Sequence, residues 1–205
     1  EQFEKVMNLL GADLSKDQLI KVTIDDEKAL LGSIISADKI GSRSLSSARV
    51  TLTGEGTGIS VTTQNINWVT SSMYSSALAT AGVDNARIVV AAPVEVSGTA
   101  ALAGILKAYE SAASTQLSDE AKAVAGSEMV LTGDLADVIG SDDAVELLAM
   151  VKNAIAEYHL DDYDSLRPYV EQGAKQLGVQ LTEDQIDQIT KLGVQIAKLD
   201  LDLEK

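Results

Sequence analysis

The sequence predicts an α/β (α+β) chain: an N-terminal mixed four-stranded sheet with packed helices, followed by an all-helical part. Three observations carry this. Stretches with apolar residues at every second position occur only before residue 93. After Gln116 every apolar pattern has helical spacing. The hydrophobic content is 45% with only 3% aromatic residues, so the core is aliphatic. The expected division is residues 1–116 as the α/β domain and 117–205 as the helical region, packed on it or a subdomain.

Taking the elements in order, Phe3, Val6, Met7 and Leu10 share one face of a helix that Gly11 stops. "LIKVTI", Leu19–Ile24, is the first predicted strand, and "DDEKALLG" a helical turn with acids where the helix dipole favours them. Residues 36–47, rich in Ser and Gly, read as a loop. Ala48–Thr53 and Ile59–Val69 alternate and flank "GEGTG", which predicts a hairpin. A helix follows, opened by Thr70, Ser71 or Ser72 and closed by Gly82. Arg87–Ala92 is the fourth strand, and Ala100–Ala113 the helix after it.

Residues 118–125 read as helical and "TGDLADVIG" as a turn plus a short helix. A longer helix is capped by Ser141 or Asp142. Two more span Tyr163–Leu177 and Asp184–Leu199, with a capping box at Thr182 and Gln185. The opening "EQFEKVMNLLG" echoes "DQIDQITKLGV" near the end, either a repeated helical element or two alike amphipathic helices.

Composition excludes several functions. A net charge of −15 repels nucleic acid and anionic lipid. The absence of cysteine removes disulfides and thiolate metal sites. No apolar run approaches the roughly 18 residues of a bilayer span. The single histidine, His159, stands at a helix end, where the dipole stabilises a cation, and no His-rich metal site exists. The acid runs at 25–27, 142–143 and 161–164 do not follow the alternating calcium-loop pattern and suit helix starts. No metal or other cofactor is implied.

The candidate site is the strand–turn–helix at Ser97, Gly98 and Thr99, whose free N–H groups and two hydroxyls suit an anion. Gly98 and Gly104 are not spaced as a phosphate loop, and no lysine follows Gly104 directly. The competing expectation is that Ser97 or Thr99 caps the helix. Arg87 or Arg49 is the candidate counter-charge, with Arg87 expected at the far end of its strand. "GEGTG" joins two strands and opens no helix, so it is no dinucleotide site.

Residues 63–110, containing "NINWVT" and "APVEVSGTAAL", resemble the YpuA-like domain-of-unknown-function family of Gram-positive bacteria. "NLLGADLS" (8–15), "ADKIGSRSLSSARV" (37–50), "EMVLTGDLADVIG" (128–140) and "LTEDQIDQITKL" (181–192) agree in order. Val94 departs from the usual Phe. The resemblance implies an exported protein, secreted or at the cell envelope, with no reaction to carry over. It draws Asn65 and Trp68 into the candidate site beside Ser97, Gly98 and Thr99, and adds Thr132, Gly133 and Asp134 as signature positions. A chain beginning at Glu1 in mid-helix fits a removed signal peptide. Two functions follow as expectations: a non-enzymatic binding protein with an envelope or extracellular partner, or an enzyme or anion binder at the Ser97–Thr99 helix start.

Overall fold

The computed structural model describes residues 1–32 and 44–199. Most of the predicted loop at 36–47, and with it most of the 37–50 signature, lies outside these. Among the described residues there are eight helices and three strands. The chain divides into two compact units, Glu1–Gly126 and Ser127–Lys205.

The first unit holds α1 (Gln2–Leu10), α2 (Ile24–Leu31), β1 (Ser47–Leu52), β2 (Ile59–Ile66), α3 (Ser71–Thr80), β3 (Ala86–Val96) and α4 (Thr99–Ala113). The sheet is mixed, as predicted, with order β1-β3-β2. β1 runs antiparallel to β3 and β2 parallel to it.

Two sequence expectations fail here. Leu19–Ile24 is not a strand. Ile24 opens α2 because Thr23 caps it: Thr23 Oγ1 accepts the Asp26 N–H, and the Asp26 carboxylate accepts the Thr23 N–H. That reciprocal box outweighs the alternation before it. β1 and β2 also form no hairpin, because β3 lies between them. Asn85 holds the crossing: its carbonyl accepts the Thr53 N–H at 3.0 Å, and its side chain accepts the Gly58 N–H at 3.0 Å. "GEGTG" therefore bridges two strands that never touch, with Gly56 and Gly58 at positive φ.

β3 is longer than predicted, and alternation assigns its faces. Ala86, Ile88, Val90 and Ala92 are fully buried on one face. Arg87, Val89 and Ala91 face the other way, where Val6 and Leu10 of α1 cover Ala91. β2 ends early at a bulge, where Asn65 takes φ 58°.

α5 (Asp119–Ile139) is one continuous helix where the sequence suggested a turn at "TGD". Thr132 satisfies its hydroxyl on the Glu128 carbonyl one turn back, so it does not break the ladder. The boundary between the units falls within this helix. α6 (Ser141–Tyr158), α7 (Tyr163–Leu177) and α8 (Glu183–Ala197) pack pairwise as three helices. Thr182 and Gln185 form the expected box, whereas α6 is capped by Gly140 and by no side chain. α1 lies on the sheet and α8 in this helical unit.

Candidate functional site

The first unit contains a cavity of about 310 Å³ along the edge of β1 that faces away from β3. Its walls are mainly apolar, from Val6, Met7 and Leu10 of α1, the irregular stretch Leu14, Leu19, Ile20 and Val22, β1 itself, and Ala101, Gly104 and Ala108 of α4, with Gln2, Gln18, Ser44 and Ser46 adding polar groups. The space exists because α4 turns small side chains toward it. Phe3, Leu14 and Leu19 line it and remain 54%, 51% and 51% exposed.

Arg49 ties this region together. Its Nη1 donates to the Gly11 carbonyl at 2.9 Å, and its Nε lies 3.1 Å from Asp17 Oδ2. The Asp17 carboxyl is held below its usual range by the Asp13 N–H and by Arg49, against the opposing effect of burial. Lys5 Nζ donates to the Pro93 carbonyl at 2.7 Å and fastens α1 to the end of β3.

The ladder shows where the main chain of β1 points. Thr53 donates to its register partner Asn85, so the hydrogen-bonded pairs are 53/85, 51/87, 49/89 and 47/91. Ala48 and Val50 therefore aim their N–H and C=O groups away from β3. Both residues line the cavity.

The Ser97–Thr99 turn is built differently from the expectation. Gly98 is the N-cap at φ 96°, and no side chain caps the helix. A Cβ at Gly98 would sit 2.5 Å from Tyr74 Oη and 2.6 Å from Ile66 Cγ2, so only glycine fits. The Tyr74 hydroxyl donates to the Gly98 carbonyl. Burial, and then the nearby Glu27 carboxylate, push its pKa well above the usual tyrosine range. Thr99 Oγ1 donates to Glu27 Oε1 at 2.6 Å, and Ser44 Oγ donates to Glu27 Oε2 at 2.7 Å. Ser97 Oγ lies 3.4 Å from Thr99 Oγ1. Glu27 is fully buried. The first residue of α4, where the helix dipole favours negative charge, thus meets the chain's own carboxylate.

Asn65 and Trp68 come beside this turn because residues 65–69 run parallel to 92–97. Asn65 Nδ2 donates to the Ala92 carbonyl at 2.7 Å. Asn67 and Val69 donate main-chain N–H groups to Val96 and Ser97. Trp68 is half-buried. Arg87 starts β3 and lies about 30 Å of extended chain from the turn. Arg49 is paired at the cavity. The structure brings together Ser97, Gly98, Thr99, Asn65 and Trp68, and leaves both arginines elsewhere.

Sequence reasoning missed Glu27 and the cavity. Glu27 sits inside an acidic run that reads as dipole complement. Its spacing to Leu31, one turn on, was the available signal that it faces inward. His159 is the C-cap of α6 with φ 53°. Asp162 caps α7 by accepting the Ser165 N–H. Among the described residues no group of three or more His, Cys, Asp or Glu is placed to hold a metal, and no helix is long and apolar enough to cross a membrane.

Fold and site together define an α+β protein whose half-open sheet edge borders an apolar cavity, continued in the same chain by three packed helices. The chain belongs to the family described as "Protein of unknown function (DUF1002)", whose model matches residues 1–205. It is 38% identical over 213 residues to "Uncharacterized protein YpuA" of Bacillus subtilis (strain 168), covering 96% of this chain and 73% of that protein. No solved structure matches.

Proposed function

We propose that this is a non-enzymatic binding protein acting outside the cytoplasm, secreted or at the cell envelope, and that it binds in the cavity beside β1. The observation that carries the binding role is that cavity: apolar walls, three half-exposed large side chains along it, and a volume of about 310 Å³, within the ~300–1,000 Å³ of small-ligand sites. Export is what the family resemblance implies. The enzyme or anion reading at the Ser97–Thr99 helix start has less support, because the Thr99 hydroxyl is spent on Glu27 and an incoming anion meets that buried carboxylate.

Gly104→Leu is the discriminating variant. A Cβ there meets only Val22 Cγ2 at 3.8 Å, so a larger side chain has room and grows into the cavity. Replacing a helical glycine also favours the helix by up to about 1 kcal/mol. The fluorescent apolar probe anilinonaphthalene sulfonate is expected to bind the parent protein with one-to-one saturation. The Gly104→Leu protein should lose that binding with no loss of stability. Unchanged probe binding in Gly104→Leu would remove the cavity as the site. Fractionation of the native host, with immunoblotting, tests the compartment: a purely cytosolic product ends the export reading.

A further inference from the structure

Resting on that reading, we infer that the natural occupant of the cavity is a short, uncharged, apolar peptide segment that adds to β1 as a fourth strand. The argument starts from the main chain. Ala48 and Val50 present two N–H and two C=O groups to the cavity, and no described residue bonds to them. Unpaired main-chain groups in an apolar setting are costly, and an acyl chain or other apolar molecule cannot satisfy them. An extended backbone can, because its own outward groups recur every second residue, about 7 Å apart, at the same spacing as Ala48 and Val50.

The walls specify the side chains. The two faces of the sheet carry α1 and α4, so a strand added at this edge points alternate residues at each. One set meets Val6 and Leu10, and the other meets Ala101 and Gly104. Both sets are apolar surroundings, which calls for consecutive apolar residues and not apolar–polar alternation. Among the described residues, Asp17 and Arg49 are the only charged ones lining the cavity, and they neutralise each other in a chain of net charge −15. Charge complementarity therefore selects an uncharged segment.

The test uses the full chain and a defined probe set. This is a capped, serine-flanked Val-Ile-Val-Leu peptide with its apolar permutations, the same peptides N-methylated at alternate residues, and laurate. Binding is followed by NMR together with main-chain amide exchange. The expected result is saturable binding that slows exchange at Ala48 and Val50 by at least about tenfold, with N-methylation weakening it about tenfold for each hydrogen bond lost. Ala48→Pro removes one outward N–H without touching the ladder to β3, and should weaken binding to a similar degree. Laurate and N-methylated peptides binding as well as the parent, with exchange at Ala48 and Val50 unchanged, would overturn the peptide inference while leaving the cavity reading intact. Binding by none of the peptides at 1 mM overturns it too. If the apolar probe also fails to distinguish Gly104→Leu, the cavity reading falls with it. Protection at Ala48 and Val50 that grows with protein concentration alone would make the occupant a second copy, and the inference wrong.

Discussion

The two units of this chain use the same aliphatic residues to opposite ends. In Ser127–Lys205, Leu147, Leu148 and Val151 of α6, Leu166 and Val170 of α7, and Ile189, Leu192 and Ile196 of α8 are all buried. Gly173 and Gly193 let the helices close up: a Cβ at those positions would lie 2.8 Å from Leu147 Cδ1 and 3.2 Å from Val151 Cγ1. In Glu1–Gly126 the apolar surface is not used up. Every residue of β1 stays at least partly exposed, and the cavity opens at its edge. Charge divides the same way. Residues 127–205 hold 17 acidic and 6 basic side chains, and residues 1–126 hold 14 and 10, so the net charges are −11 and −4. Three amphipathic helices can satisfy one another with side chains alone, whereas a sheet edge needs a hydrogen-bonding neighbour. Recognition is expected where packing is incomplete.

The α+β unit is held instead by specific polar contacts and tight turns, so single changes there should cost most. Gly98→Ala is the largest expected effect. It forces a side chain into the left-handed region and onto Tyr74 and Ile66, for a loss of about 4 kcal/mol. Urea unfolding measures it, and exchange protection across β3 and α4 should fall in parallel. A loss under about 1 kcal/mol would mean the turn is not an anchor.

The helical unit also holds a deeply buried ion pair. Lys152 Nζ lies 2.5 Å from Glu128 Oε1, and Glu128 is 1% exposed. Removing the lysine alone leaves a buried carboxylate without its cation, so Lys152→Met should lose about 3 kcal/mol. Adding Glu128→Gln should restore more than half of that. If Lys152→Met is neutral in urea unfolding, the contrast sharpens, because the buried ion pair then adds nothing to the apolar packing of these helices.

Much of this arrangement could be read from the residues. Alternation found β1 and the core of β3, and helical spacing found α1, α4, α6, α7 and α8. The failures have physical causes. "LIKVTI" alternates like a strand, but strand formation needs an edge to pair with, and the Thr23–Asp26 box committed its end to a helix. The "GEGTG" turn looked like a hairpin because local sequence cannot show that β3, which begins only at Ala86, will insert between its arms. At the Ser97–Thr99 turn the sequence pointed to these residues but not to the contacts they make. Ser97 and Thr99 are N-terminal polar residues by pattern and could be expected to cap. Their partner Glu27 is 72 positions from Thr99 and reads as one acid in a surface run. The cavity is the least legible feature, since it arises from three elements failing to fill a space.

The smallest expected effect concerns pH, and it tests whether exposed charges count differently in the two units. The Asp26 carboxyl is pulled down to about 2, first by Lys107, whose ammonium lies 2.5 Å away, and then by the Thr23 N–H and hydroxyl. A folded pKa below the ordinary value near 3.8 means that Asp26 contributes stability fully above about 4, and that this is lost as pH falls toward about 2. The destabilisation caused by Asp26→Asn should therefore be complete at pH 6, shrink through pH 3 and vanish near pH 2. Salt should also reduce it, because Lys107 is 45% exposed and the pair is screened. The counterpart in the helical unit is Asp187, lowered by Lys191 one turn along α8 and by the Tyr163 hydroxyl. That ion pair lies within a single helix, and the one contact Asp187 makes to α7, from the Tyr163 hydroxyl at 3.0 Å, comes from a neutral donor that an amide oxygen still accepts, so Asp187→Asn should leave a smaller trace over the same pH range. Guanidinium cannot serve for these measurements because it is itself a salt, so urea titrations at pH 2, 3, 4 and 6 are required. Equal pH-dependent losses in the two variants would show that Asp26 is an ordinary surface charge. They would also show that α2 is held against α4 by the buried Glu27–Thr99 contact and not by the ion pair outside it.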